Sequence, residues 1–142
     1  IQSGVKVQLF DVRDLANPQS VGAFTFGRSW SDATWDPHAL TFLSLPGPAT
    51  SYRMAMHLDV YDTPMPTVPN SYSYTFSGLH LFEIDGLEGN APQLQFHGVL
   101  TAQTAASRSF ASPIRSVLHD DSVFYIFGDK NISSLWQNVP AQ

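Results

Sequence analysis

The chain has 142 residues, a length that suits one domain but not comfortably two. It has no cysteine, which excludes disulfides, Cys-ligated zinc and thiol catalysis. The net charge is −5 and the seven basic residues are scattered, which argues against a nucleic-acid partner. No stretch approaches the roughly 18 apolar residues of a membrane helix, so we expect no membrane insertion of this segment.

Strand signals dominate the chain from its first residues to its last. Short segments of alternating apolar and polar residues are separated by Pro, Gly, Asn and Asp, whereas helical periodicity is limited to one turn at 30–33. In chain order the predicted strands are 5–12, 21–26, 38–44, 52–60, 79–84, 94–101, 114–118, 123–127 and 132–136. A long loop carrying three prolines is expected at 61–76.

One strand pattern is repeated. The sequence of 7–15 returns at 79–87, and a weaker copy lies at 132–136. Aligned on this repeat, the chain forms units of four strands joined by turns, which is the blade of a β-propeller. We therefore predict a single all-β region over 1–142, a fragment of a β-propeller built from antiparallel four-stranded blades. Residues 1–27 would supply the last two strands of one blade, 36–101 one complete blade with long loops, and 112–142 most of a further blade.

Three stretches resemble a known family. These are 4–12 followed by Asn17 and Pro18, then 35–42, and then 76–82. In their order and spacing they are similar to the C-terminal β-propeller domains of bacterial secreted proteins, which are distantly related to WD-repeat propellers. The resemblance implies an extracellular or cell-envelope propeller, often a lipoprotein, with no established chemistry and no catalytic residues. The low charged content of 13% is also typical of an extracytoplasmic β protein.

Aromatic residues in and around the long loop are the leading candidates for ligand binding. Exposed tyrosines offer a large contact area at low entropic cost and stack on sugars or peptide groups. Alternatively, the same rings pack beneath the loop as a small satellite core. The candidates are Tyr52, Tyr61, Tyr72, Tyr74 and Phe76.

Histidines provide a second set of candidates. His57 and Asp59 lie at alternate positions of one predicted strand and share a face, and His80 could join them from a neighbouring strand as a zinc site. The alternative is that all three are polar residues of half-exposed strands. His38 beside Asp36 could serve a hydrolase, but no nucleophile elbow is present. No cofactor is predicted.

These observations favour a non-catalytic binding or scaffold domain of a secreted or cell-envelope protein. The alternatives are a hydrolase or metal-binding propeller that uses His57, Asp59 or His38, and a pure assembly element. The expected partners are the remaining blades of a parent propeller and a protein, peptide or glycan ligand. Because the chain starts without Met and holds fewer than three blades, we expect it to be a piece of a longer protein. As a fragment it should self-associate through its first or last strand, at Val7, Leu9, Leu135 or Trp136.

Overall fold

The computed structural model describes residues 4–47, 50–89 and 91–141. Within them every strand pair is antiparallel, and the helical segments are single 3₁₀ turns. The predicted all-β fold class is confirmed. Residues 1–3, 48–49, 90 and 142, which the predicted blade boundaries include, lie outside the described residues. In chain order the strands are β1 (Gly4–Asp11), β2 (Gln19–Gly27), β3 (Ser29–Trp30), β4 (Leu40–Leu45), β5 (Ser51–Val60), β6 (Thr63–Pro64), β7 (Tyr72–Ser73), β8 (Phe76–Asp85), β9 (Gln93–Thr104), β10 (Ile114–His119), β11 (Ser122–Phe127) and β12 (Lys130–Leu135).

The central sheet is a four-stranded blade with one addition. Strands β4, β5, β8 and β9 pair in that order, each antiparallel to the next. Strand β5 is longer than β4, and its end beyond β4 pairs with the short β3 through Ser29↔Val60 and Trp30↔Asp59. Two smaller sheets flank the blade, β1–β2 on one face and β10–β11–β12 on the other.

The sequence repeat is a structural repeat. β1 pairs with β2 as β8 pairs with β9, so the two copies of the repeated sequence begin equivalent hairpins. In both hairpins the register shifts at the same repeat position, between Leu9 and Phe10 in β1 and between Leu81 and Phe82 in β8. A β-bulge at matching sites increases the local twist in the same way, so the two units curve alike.

An aromatic cluster fills the space between the first sheet and the blade. Phe82 of β8 is fully buried, and its ring lies 6.0 Å from Phe24, 5.9 Å from Phe26 and 5.4 Å from Phe96. Tilted and edge-on pairs at these distances add to the hydrophobic effect. This cluster holds the β1–β2 hairpin, which has no other sheet against it in the described part of the chain.

A second core lies between the blade and the third sheet. Alternate residues of β8 point into it, so that Leu79 and Leu81 meet Val123 and Tyr125 of β11. Trp136 and the chain that follows it close one side, where the amide of Val99 bonds to the carbonyl of Pro140. Neighbouring blades therefore bury both faces of β8, as expected for stacked sheets.

The outward faces of the flanking sheets differ in polarity. On the first sheet Phe10 is 50% exposed, and the polar pair Lys6 and Thr25 is exposed as well. On the third sheet Val117, Phe124 and Leu135 are each nearly half exposed. The first two of these border a groove of about 470 Å³.

Two local predictions need correction. The predicted helical turn at 30–33 is a 3₁₀ turn at Asp32–Thr34, because the Ser31 side chain caps its amide at Ala33. The predicted loop at 61–76 contains the short β6–β7 hairpin, and its last residue already belongs to β8. Within the described residues, no helix is long and apolar enough to cross a membrane.

Candidate binding cleft

A cleft of about 650 Å³, called the Trp30 cleft below, opens where β5 and β9 end, beside the loop that leads to β10. Its lining combines aromatic rings, charges of both signs and small hydroxyl residues. The lining residues are Trp30, Asp32, Asp59, Tyr74, Gln103, Arg108, Ser109, Phe110, Ala111, Ser112, Pro113, Ile114, Arg115 and Phe127. Such a mixture is typical of a site that binds and orients a ligand.

Exposed aromatic rings form the rim of the Trp30 cleft. Trp30 is 40% exposed, and its ring lies 4.6 Å from that of Trp35, which is 61% exposed. The capped turn after Ser31 brings these two rings together, since it folds the chain back on itself. Phe110, in the segment between β9 and β10, also lines the cleft and is 95% exposed. Exposed apolar side chains that are grouped together, unlike single ones, mark a candidate contact surface.

Arg108 lies over two tyrosines in the wall of the cleft. Its guanidinium carbon is 4.4 Å from the ring centre of Tyr74 and 5.6 Å from that of Tyr61. A guanidinium N–H of Arg108 also donates a 3.3 Å hydrogen bond to the Tyr61 hydroxyl. The two rings meet edge to face at 5.7 Å. Cation–π contact of this kind holds the guanidinium flat while its other N–H groups stay available.

A polar network behind the cleft holds Asp59 in place. Ser77 donates a hydrogen bond to Asp59 Oδ1, and the Tyr74 hydroxyl lies 2.6 Å from Ser77 Oγ. His57 Nε2 lies 3.3 Å from the same carboxylate oxygen, but its alignment is too poor for a hydrogen bond. Burial raises the pKa of Asp59, but contacts with His57 and Ser77 and the charge of Arg108 outweigh it and lower the pKa. Asp59 is therefore an anion at neutral pH.

His57 belongs to the contact between blades. Its Nδ1 lies 2.6 Å from the hydroxyl of Tyr125 on β11, and both side chains are buried. Burial raises the pKa of Tyr125, so this hydroxyl keeps its proton and can donate it to Nδ1.

The predicted zinc ligands do not come together. His57 lies opposite Leu79 in the β5–β8 pairing, so the next residue, His80, points to the other face of the sheet. There His80 stacks 6.0 Å from Phe76 and lies 5.0 Å from Phe26, and burial lowers the pKa of His80 to about 4. Among the described residues no three His, Asp or Glu side chains are close enough to hold a metal ion.

His38 lies apart from the other histidines. Its side chain is 84% exposed just before β4, where Nδ1 lies 3.1 Å from Asp36. Asp36 also pairs with Arg115 at 3.1 Å, and it caps the 3₁₀ turn at Pro37–Ala39. The arrangement stabilises the turn, and no serine hydroxyl in the described residues bonds to His38.

The predicted aromatic set is divided by the structure. Tyr74 lines the cleft but is only 5% exposed, and Tyr61 packs against it under Arg108. Tyr72 lies beneath Arg28, whose guanidinium carbon is 3.3 Å from the ring centre, and Phe76 stacks on His80. Tyr52 is at the far end of β5, opposite Ile84. Most of these rings therefore pack against the body of the protein.

Sequence reasoning missed the residues that form the exposed rim. Trp30, Trp35 and Phe110 lie in segments that the pattern marks as turns or linkers, where large aromatic residues have no core to enter. An aromatic residue outside a strand pattern was the available signal. Arg108 carried no signal in the sequence, because the tyrosines beneath it come from a distant part of the chain.

Stacked antiparallel sheets with a bulged, repeated hairpin define a blade protein of the propeller class. The family model described as "Beta propeller domain" matches residues 1–138, and the chain belongs to that family. Searches of curated proteins and of solved structures found no match to the chain.

Proposed function

We propose that this chain is part of a non-catalytic binding domain and that its ligand occupies the Trp30 cleft. The observation that carries the proposal is the open rim of Trp30, Trp35 and Phe110 around charged groups held by buried contacts. A rigid β scaffold that presents loops and turns is the usual way in which propellers bind.

The host protein in this proposal is a secreted or cell-envelope protein of bacterial type. The support is the resemblance of 4–12, 35–42 and 76–82 to secreted bacterial propellers, together with a sequence that is poor in charge. Propeller domains bind proteins as well as small ligands, and the remaining blades of the parent propeller are the first expected partner. The apolar outer face of the third sheet, at Val117, Phe124 and Leu135, suits a following blade.

The hydrolase alternative has weaker support. A hydrolytic triad needs a nucleophile that bonds to its base. Here the Ser77 hydroxyl donates a hydrogen bond to Asp59, and His57 Nδ1 is hydrogen-bonded to the hydroxyl of Tyr125. His57 is also only 2% exposed, which removes it from any substrate. These contacts suit a structural link between blades better than catalysis.

Fragment mapping by NMR tests the proposal without knowledge of the ligand. Small peptide and sugar fragments should shift the indole N–H signal of Trp30 and leave that of Trp136 unchanged, because Trp136 is buried at the blade contact. Phe110→Ala, at an exposed site, should weaken these shifts while the chain stays folded. Fragments that collect elsewhere and leave Trp30 unchanged would refute the cleft as the binding site. Turnover of an ester or glycoside that His57→Asn abolishes would establish the hydrolase instead.

A further inference from the structure

We infer that the ligand of the Trp30 cleft is a neutral saccharide, stacked on Trp30 and Phe110 and held through its hydroxyls. The inference rests on the proposed function and names the ligand class for that site. Three independent features of the cleft carry it: its aromatic rim, the mixed charge of its lining and the state of its backbone.

The first feature is the aromatic rim. A pyranose ring has an apolar face of C–H groups and an edge of hydroxyls, so it needs a flat ring beside hydrogen-bonding groups. Trp30 offers such a face at 40% exposure and is supported from behind by Trp35 at 4.6 Å. Phe110, at 95% exposure, provides a second ring in the lining.

The second feature is the mixed charge of the lining. Asp32 and Asp59 are carboxylates and Arg108 is a guanidinium, whereas Arg115, the fourth charged residue of the lining, is already paired with Asp36. A charged ligand would be attracted by groups of one sign and repelled by those of the other. A neutral ligand with vicinal hydroxyls can donate to the carboxylates and accept from the guanidinium of Arg108, so groups of both signs contribute to binding.

The third feature is the backbone of the loop beside β9. The side-chain amide of Gln103 accepts a bond from the amide of Ser109 at 3.0 Å and donates to its carbonyl at 3.2 Å. Pro113, further along the same wall, has no N–H. An extended peptide that added a strand here would find these groups occupied or missing. A saccharide is recognised by side chains and does not need free backbone groups.

Calorimetry on the full chain with cellohexaose, chitohexaose and mannohexaose tests this inference. At least one of these neutral probes should bind, and its affinity should be nearly independent of salt because no net charge is neutralised. Trp30→Ala should weaken binding by about two- to tenfold, which is the typical effect of losing one stacked ring. Phe110→Ala should weaken binding as well, and because Phe110 is exposed its replacement should leave the fold intact.

Phe124→Ala is the matched control. Phe124 is 45% exposed, close to the value for Trp30, but lies on the outer face of β11 and does not line the cleft. Its replacement should leave saccharide affinity unchanged. Equal affinity in the wild type and both cleft variants would overturn the inference. The absence of binding by all three probes would overturn it as well. If peptide fragments still shift the indole N–H signal of Trp30 in that case, the proposed function stands and only the saccharide assignment fails. If no fragment reaches Trp30 either, both fail.

Discussion

Replacement of Phe82 by Ala tests whether the sheets are held together as stacked blades. Phe82 is fully buried among Phe24, Phe26 and Phe96, with ring centres 5.4 to 6.0 Å away. Burial of about 150–250 Å² at roughly 25 cal/mol per Å² corresponds to about 4–6 kcal/mol, an upper limit because the unfolded chain hides part of this surface. Measured truncations of buried Phe fall at about 3–5 kcal/mol, and we expect a loss in that range.

Phe10 supplies the matched control for this experiment. It holds the equivalent repeat position in β1, directly after the same bulge. It is 50% exposed, because no other sheet of the described chain covers that face. Phe10→Ala should therefore lower the free energy of unfolding by less than about 1 kcal/mol. Denaturant titration of both variants gives the comparison. A loss below about 1 kcal/mol for Phe82→Ala would show that the stacking argument is wrong.

Three further predictions concern the blade contacts. Burial lowers the pKa of His80 from 6.5 to about 4, so between these pH values the unfolded chain binds a proton at His80 and the folded chain does not. The free energy of unfolding should therefore fall by about 3 kcal/mol as the pH drops from 6.5 to about 4. His80→Phe should flatten this pH dependence of the denaturation midpoint, and an unchanged slope would contradict it. Tyr125→Phe leaves His57 Nδ1 buried without its partner and should lower stability by about 1–3 kcal/mol; a neutral effect in thermal unfolding would show that the bond is unimportant. The isolated chain should self-associate in sedimentation equilibrium at micromolar concentration, with Phe124→Glu on the apolar outer face weakening it; a stable monomer would refute this.

The structure favours a different site of self-association from the one expected from the sequence. Val7 and Leu9 are partly buried, and Trp136 is only 4% exposed, so they offer little surface to a second copy. Leu135 remains available at 45% exposure, on the same sheet as Phe124 and Val117. The apolar face of the third sheet is therefore a better candidate than the first strand.

The sequence alone was sufficient for the fold class and for the repeat. Alternation with a period of two predicts strands because it matches the pleat, and the return of 7–15 at 79–87 predicts a second unit of the same shape. The matching bulges after Leu9 and Leu81 confirm that equivalence. The turn at Asp120–Asp121 was also predictable, because these two residues separate two apolar segments as a tight hairpin requires, and they connect His119 to Ser122.

Only the tertiary structure decided which face each strand residue occupies and which rings stay open. His57 and His80 looked like partners because they lie on adjacent strands, but the register between β5 and β8 places them on opposite faces. The sequence marks Phe10 and Phe82 as equivalents, yet one is half exposed and the other fully buried, because only one has a sheet stacked upon it. The Trp30 cleft likewise joins residues from three distant segments, at Trp30, Asp59 and Arg108. Local patterns record the period of each strand, whereas pairing register and blade stacking are long-range choices, and these determine burial, exposure and the site.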